Sequence, residues 1–265
     1  MITVPVQKLA FTKAPVSEVI CATVFNVAVL EERGVIHEIL STLSKEYPIS
    51  DNVPAVPEEE LMGFTLQNSM DYNKTGFVLY RFISEDQRWL VQFQQNYFSL
   101  HWIREDNEVV GEYPGFSEIY NRFETLFNLV QTKVHETSPH INFQSLIKSY
   151  TLHYQDRIYW RQYTDVSPDE LSNFKFPIFH TPSGEARPNN VFSKYSVPCS
   201  EINGYSIINI NTGTAPNQEQ MFIVENKMKG KLHNADMQSW FRIAHELQVD
   251  FFQNFFTQEV LDSWK

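Results

Sequence analysis

The stretch "SYTLHYQDRIYWR", residues 149–161, alternates with a period of two. Tyr150, Leu152, Tyr154, Ile158 and Trp160 share one face, and Thr151, His153, Gln155, Arg157, Tyr159 and Arg161 share the other. Successive side chains of a strand point to opposite faces, so the pattern predicts one long β-strand with an apolar and a polar side. The polar row reads either as a solvated sheet face or as a groove in which His153, Gln155, Arg157 and Arg161 hold an anionic group or a partner's carboxylates. Asp156 falls on the apolar side, where an unpaired carboxylate is costly. Either a bulge that re-aims it or a basic partner is expected.

Upstream, "SEVICATVFNV" (17–27) reads as a buried central strand. It leads into "GVIHEILSTLSKEYP" (34–48), where Val35, Ile36, Ile39, Leu40 and Leu43 fall at helical spacing. The Pro-rich, acidic "PISDNVPAVPEEE" (48–60) reads as a loop. Four alternating segments follow, "LMGFTLQNS", "GFVLYRFIS", "RWLVQFQ" and "YFSLHWIRE", with short spacers that suit antiparallel hairpins. Next, "YPGFSEIYNRFETLFNLVQTKV" (113–134) puts Phe116, Ile119, Tyr120, Phe123, Leu126, Phe127 and Val130 on one helical stripe.

Downstream of the long strand the order resembles the first. "SPDELSNF" (167–174) predicts a short helix, "KYSVPCSEI", "YSIININTG" and "QMFIVENKM" predict strands, and a final helix is expected from near Asn234 to about Phe256. Together these predict an α+β fold of two similar halves, each an antiparallel sheet packed by amphipathic helices. The expected halves are an acidic one over 1–137 and a second over 138–265, joined through "HETSPHIN".

The chain has 265 residues, 42% of them hydrophobic, with 21 Phe, 12 Tyr and 5 Trp, enough apolar surface for a folded core. No run of about 18 apolar residues exists, and the N-terminus lacks the apolar core of a signal peptide, so no membrane association is expected. Two cysteines, Cys21 and Cys199, are too few for a disulfide framework and suit a reducing cytoplasm. The net charge is −11, most of it within residues 1–140, which disfavours phosphate backbones as partners. The one dense basic spot, "KMKGK" (227–231), reads as a solvated turn.

"WFRIAHELQVDFFQNFF" (240–256) places a His-Glu pair in an aromatic run, but a zincin helix needs a second histidine where Val249 stands. Trp240, Ile243, Ala244, Leu247, Phe251 and Phe255 form a core-facing stripe that His245 flanks as a boundary residue. Glycine-rich phosphate cradles and a serine nucleophile elbow have no candidate segment. His135 and His140 lack a third ligand of defined spacing, and Cys199 lacks an adjacent base. No metal and no cofactor are expected.

Four blocks carry a resemblance over almost the whole chain. Ala14, Pro15, Glu18 and Val19 fit A-P-x-x-E-V; Tyr113 to Phe116 fit Y-P-G-F; Leu152, Tyr154, Asp156, Arg157 and Ile158 fit L-x-Y-x-[ND]-R-I; Trp240, Ala244 and His245 fit W-x-x-x-A-H. In this order the blocks resemble those of a sporadically distributed, uncharacterised bacterial protein family, with His153 standing where Arg is usual there. The resemblance implies mobility of the kind seen in horizontally exchanged defence or toxin-antitoxin genes. The expected function is a non-catalytic, protein-binding accessory, antitoxin-like or sensor subunit of such a module, whose partner is a protein encoded nearby or a second copy. The alternative is an enzyme or nucleotide-binding sensor with a site on the 149–161 strand built from His153, Arg157, Asp156 and His245.

Overall fold

The long strand forms as its alternation predicts: β6 runs Ile147–Tyr159, hydrogen-bonded on one side to β1 (Val16–Phe25) and on the other to β9 (Gln220–Gly230). The computed structural model describes residues 15–26, 33–56, 78–104, 113–159, 192–214, 220–232, 236–256 and 258–264. The remaining strands are β2 (Ile49–Pro54), β3 (Val78–Ile83), β4 (Trp89–Gln94), β5 (Tyr97–Ile103), β7 (Phe192–Cys199) and β8 (Gly204–Thr214). The helices are α1 (Arg33–Glu46), α2 (Phe116–Thr137), α3 (Phe143–Leu146), α4 (Met237–Phe255) and α5 (Gln258–Ser263). None of them is long and apolar enough to cross a membrane.

Among the described residues, all nine strands belong to one antiparallel sheet in the order β2-β3-β4-β5-β1-β6-β9-β8-β7. This overturns the expectation of two similar strand-helix-strands-helix halves, each with its own sheet. The reason is physical. β1 and β6 are apolar enough to be central strands, and each reads alone as the centre of a separate sheet. They are central because they pair with each other, from Val16 opposite Asp156 to Phe25 opposite Ile147.

Three segments differ from their expected form. "PISDNVPAVPEEE" contains the edge strand β2, whose side chains are nearly all exposed and so leave no burial pattern to read; Pro54 is tolerated at its end because an edge strand has spare N–H positions. "KMKGK" is the end of β9, not a turn: Met228 faces the helices, while Lys229, 1% exposed, lies beside Thr151 and Tyr205 on the opposite face. Gly230 is required there, since a Cβ would strike the Ile202 carbonyl oxygen. The last helix starts later than Asn234, at the Asp236 cap, whose carboxylate accepts the Ser239 N–H at 2.7 Å. The segments "LMGFTLQNS", "SPDELSNF" and "FHTPSGEARPNN", together with Trp160 and Arg161, lie outside the described residues.

Helices α2 and α4 cover one face. The α2 stripe of Ile119, Tyr120, Phe123, Leu126, Phe127, Val130 and Val134 is buried, and Phe123 meets Phe98 of β5 and Phe241 of α4. Trp240 and Phe241 pack on Tyr150 of β6, and the indole N–H donates to the Ile202 carbonyl. Val35, Ile39 and Leu43 of α1 join the same core. Full burial of each large side chain stabilises by about 1.5–3 kcal/mol. A second apolar cluster, with Ile158, Phe222, Val224, Phe255, Phe256 and Trp264, lies beyond it.

The central β1–β6 pairing predicts the behaviour of fragments. Expressed separately, residues 1–137 and 138–265 each expose a long unpaired apolar strand edge. They are expected to aggregate alone and to recover native circular dichroism only when co-expressed. Two independently stable, monomeric fragments would overturn this.

Candidate functional site

The face of the sheet opposite α2 and α4 carries the polar residues, and its centre is organised by a fault in β1. The register shifts between Val16 and Glu18, leaving Ser17 as the extra residue. Its carbonyl accepts the Arg104 N–H at 2.8 Å, its hydroxyl donates to the Gln155 carbonyl at 3.0 Å, and Gln155 Nε2 donates to the same hydroxyl at 3.1 Å. The Arg157 N–H reaches the Pro15 carbonyl at 2.9 Å. The fault locks the start of β1 to the end of β6 and fixes where Glu18 points.

Glu18 then meets His101 of β5, with Oε1 2.7 Å from Nδ1, and His101 Nε2 lies 3.0 Å from Ser99 Oγ. Burial pushes the Glu18 carboxyl up, but the hydrogen bond to His101 and the charges of His101, His153 and Arg157 outweigh it and hold it below the usual value. Glu18 is therefore the anionic acceptor, and Nδ1 carries the proton. With a neutral ring, Nε2 accepts from Ser99. The sequence Ser99–His101–Glu18 has the connectivity of a nucleophile, base and orienting carboxylate. Ser99, however, is 0% exposed.

His153 stands on β6 across Ile20 of β1, which His101 of β5 also faces. It is buried, and burial followed by the charge of Lys227 lowers its pKa to about 3. Its Nε2 lies 3.9 Å from Glu225 Oε1, beyond hydrogen-bond range. Glu225 accepts instead from Asn209 Nδ2 at 3.0 Å. Around this buried centre Gln155, Arg157, Glu225 and Lys227 are half-buried on the same face. The row predicted from β6 is thus not a simply solvated face. His153, Gln155 and Arg157 do share it, whereas Arg161 lies outside the described residues.

Asp156 and His245 are not part of that row. β6 keeps its alternation, so Asp156 stays on the helix face, buried, between Tyr154 and Ile158. The bulge is on the neighbouring strand and does not re-aim it. Burial pushes its carboxyl up to about 7, with Arg104 pulling the other way. His245 of α4 accepts or donates at Nδ1 with the Tyr154 hydroxyl at 3.2 Å, and that hydroxyl lies 3.1 Å from the Tyr113 hydroxyl. Phe116 stacks on the His245 ring at 4.0 Å. Among the described residues, no three His, Cys, Asp or Glu side chains gather as a metal site.

Glu18, His101, Ser99, Tyr113 and Tyr154 were not predicted as site residues. The available signals were an acid inside the apolar "VSEVICATVF" and a Ser-x-His spacing in "YFSLHW", which puts both side chains on one face of a strand.

No protein-family profile matches the chain, and no curated protein does. Among solved structures, the di-domain ARO/CYC StfQ from the steffimycin biosynthetic pathway is similar at a TM-score of 0.24 with 7% identity, over 93% of this chain and 97% of that one. A likeness that loose bears on neither fold nor activity.

The two shifted groups predict opposite pH dependences. His153 moves from 6.5 to about 3 on folding, so its contribution is present above 6.5 and lost as pH falls towards 3. Asp156 moves from 3.8 to about 7, so the folded state gains stability from it below 3.8 and loses that as pH rises through 7. Relative to the parent, His153→Gln is expected to gain melting temperature as pH falls from 6.5 to 4, and Asp156→Asn as pH rises from 4 to 7. Parallel pH profiles for parent and variants, read by thermal melting, would contradict the burial of these groups.

Proposed function

We propose that the chain is a non-catalytic binding protein, an accessory, antitoxin-like or sensor subunit of a bacterial defence or toxin-antitoxin module. In this reading it acts in the cytoplasm and holds a protein partner, encoded nearby or a second copy, against the polar face of the central strands. The resemblance of its four sequence blocks to a sporadically distributed bacterial family belongs to the same proposal.

The supporting observation is a division of labour on that face. The hydroxyl that has a base beside it, Ser99, is closed to solvent, whereas the groups that reach the surface, Gln155, Arg157, Glu225 and Lys227, are recognition groups of both signs. Charged groups so arranged steer association and set specificity more than they supply affinity. Their supports are fixed beforehand: Gln155 by Ser17 and Glu225 by Asn209. A preorganised surface spends less entropy on binding.

Replacing Arg157 and Lys227 together with Ala is expected to weaken a complex made with the neighbouring gene product by about tenfold or more, mostly through its salt-sensitive association rate. Thermal stability must be followed alongside, because both side chains also have contacts within the fold. A variant that folds and binds like the parent would remove the polar face from the interface.

A second reading, an acyl-transfer enzyme, is favoured by the Ser99–His101–Glu18 connectivity alone. The two readings separate cleanly. Under the binding reading, Ser99→Ala costs stability of about 1 kcal/mol from a lost buried hydrogen bond, and a fluorophosphonate leaves the native protein unlabelled. Stoichiometric labelling that Ser99→Ala abolishes would establish the enzyme.

A further inference from the structure

On the polar face the donors and the acceptors are in unequal states. The register sets Gln155 of β6, Glu225 of β9, Asn209 of β8 and Lys194 of β7 side by side in one row, with His153 opposite Lys227 in the next. The cations of this face, Arg157, Lys194 and Lys227, each have a contact within the fold already. The Glu225 carboxylate does not have a cation of its own. Asn209 Nδ2 donates to its Oε2 at 3.0 Å, whereas its Oε1 has only His153 Nε2, 3.9 Å away. That nitrogen belongs to a side chain 8% exposed and has no hydrogen-bond partner, and neither has Asn209 Oδ1. The Glu225 side chain is 25% exposed, so the group reaches the surface through it.

The chemistry that completes this group is that of a cationic donor. Burial and the charge of Lys227 lower the His153 pKa to about 3, so at neutral pH the imidazole does not offset the Glu225 charge. With its ring proton on Nδ1, its Nε2 is a second acceptor beside Oε1. Their separation is too long for a direct hydrogen bond and short enough for one donor group to serve both at about 2.7–3.2 Å each. An anion is repelled by the carboxylate, and a neutral amide leaves its charge uncompensated. A guanidinium brings the charge and several N–H groups in a fixed fork, and it sheds water more readily than an ammonium does. The net charge of −11 adds attraction for a cation at longer range.

We infer that the protein partner docks an arginine on Glu225, its guanidinium donating to Glu225 Oε1 and His153 Nε2, while Arg157 and Lys227 meet carboxylates of the same segment. The inference rests on the binding reading above and specifies its contact: the docking segment carries an arginine among acidic side chains.

The test uses random peptides displayed on phage, selected on the purified full chain and then synthesised for affinity measurement by fluorescence polarisation. The enriched peptides are expected to share an arginine. Replacing that arginine by citrulline, which keeps the shape and loses the charge, should weaken binding by about tenfold or more, and Glu225→Gln should weaken it equally. The two changes together should cost little more than either alone, because both remove one interaction. Glu246→Gln, at an exposed position on α4, should leave binding unchanged. The citrulline comparison needs no altered protein, so it holds whether or not Glu225→Gln folds. Enriched peptides without arginine, equal binding of the citrulline form, or undiminished binding by a folded Glu225→Gln would each overturn the inference. If the paired Arg157→Ala and Lys227→Ala changes still weaken those peptides, the polar face remains the interface and only the arginine contact fails; if they too have no effect, the binding reading of this face fails with it.

Discussion

The pairing of β1 with β6 is the constraint on which the rest depends. Two strands separated by more than a hundred residues lie side by side at the centre of the sheet, and each then extends outward through its own neighbours to the exposed edges β2 and β7. Both central strands are nearly filled with apolar or β-branched side chains on the helix face, so α2 and α4 meet over the seam between them and close the core through Phe123, Tyr150 and Phe241. Non-local pairing of this kind is entropically expensive to reach. The apolar faces of β1 and β6 are what offset that cost.

The same pairing creates the polar centre. Glu18 is on β1, His101 on β5 and His153 on β6, and only the placement of β1 between the other two brings them together. The Ser17 bulge tightens the junction, since an extra residue in one strand increases local twist and frees a backbone carbonyl for Arg104. The two faces obey different rules. On the helix face, packing dominates and a polar atom such as Asp156 Oδ1 stands out as a defect. On the other, some polar side chains satisfy one another, as Asn209 does Glu225 and Ser17 does Gln155, while His153 Nε2 and Asn209 Oδ1 are left without a hydrogen-bond partner.

Elements with strong periodicity were legible. The α2 stripe and the alternation of β6 are direct readings of 3.6- and 2-residue periods, and a buried face enforces both. β2 was not legible because an exposed edge strand has no face to hide, and the end of β9 was misread because three lysines look like a solvated turn until Lys229 is seen buried against Thr151 and Tyr205. The single sheet was invisible for a deeper reason: a sequence shows that a strand is central but not which strand it is central beside. The candidate site was half legible. The polar row of β6 named His153, Gln155 and Arg157, but Glu18 and His101 belong to other strands, and their meeting is a consequence of register, which no local pattern records.

Whether such a centre recognises or reacts turns on access more than on connectivity. A nucleophile, a base and a carboxylate in a hydrogen-bonded line are also what a sheet does to satisfy a half-buried acid: Glu18 needs a donor, His101 supplies it, and the ring's other nitrogen meets Ser99. Catalysis asks for more, a reacting atom within reach of the hydroxyl and donors aimed at developing charge. Ser99 lies under complete burial, with its oxygen already committed to the imidazole, so a substrate would have to displace protein before meeting it. Recognition asks only that half-exposed groups be held still. The line from Glu18 to Ser99 ties β1 to β5, and Ser17 of β1 in turn holds β6, the strand on which Gln155 and Arg157 stand.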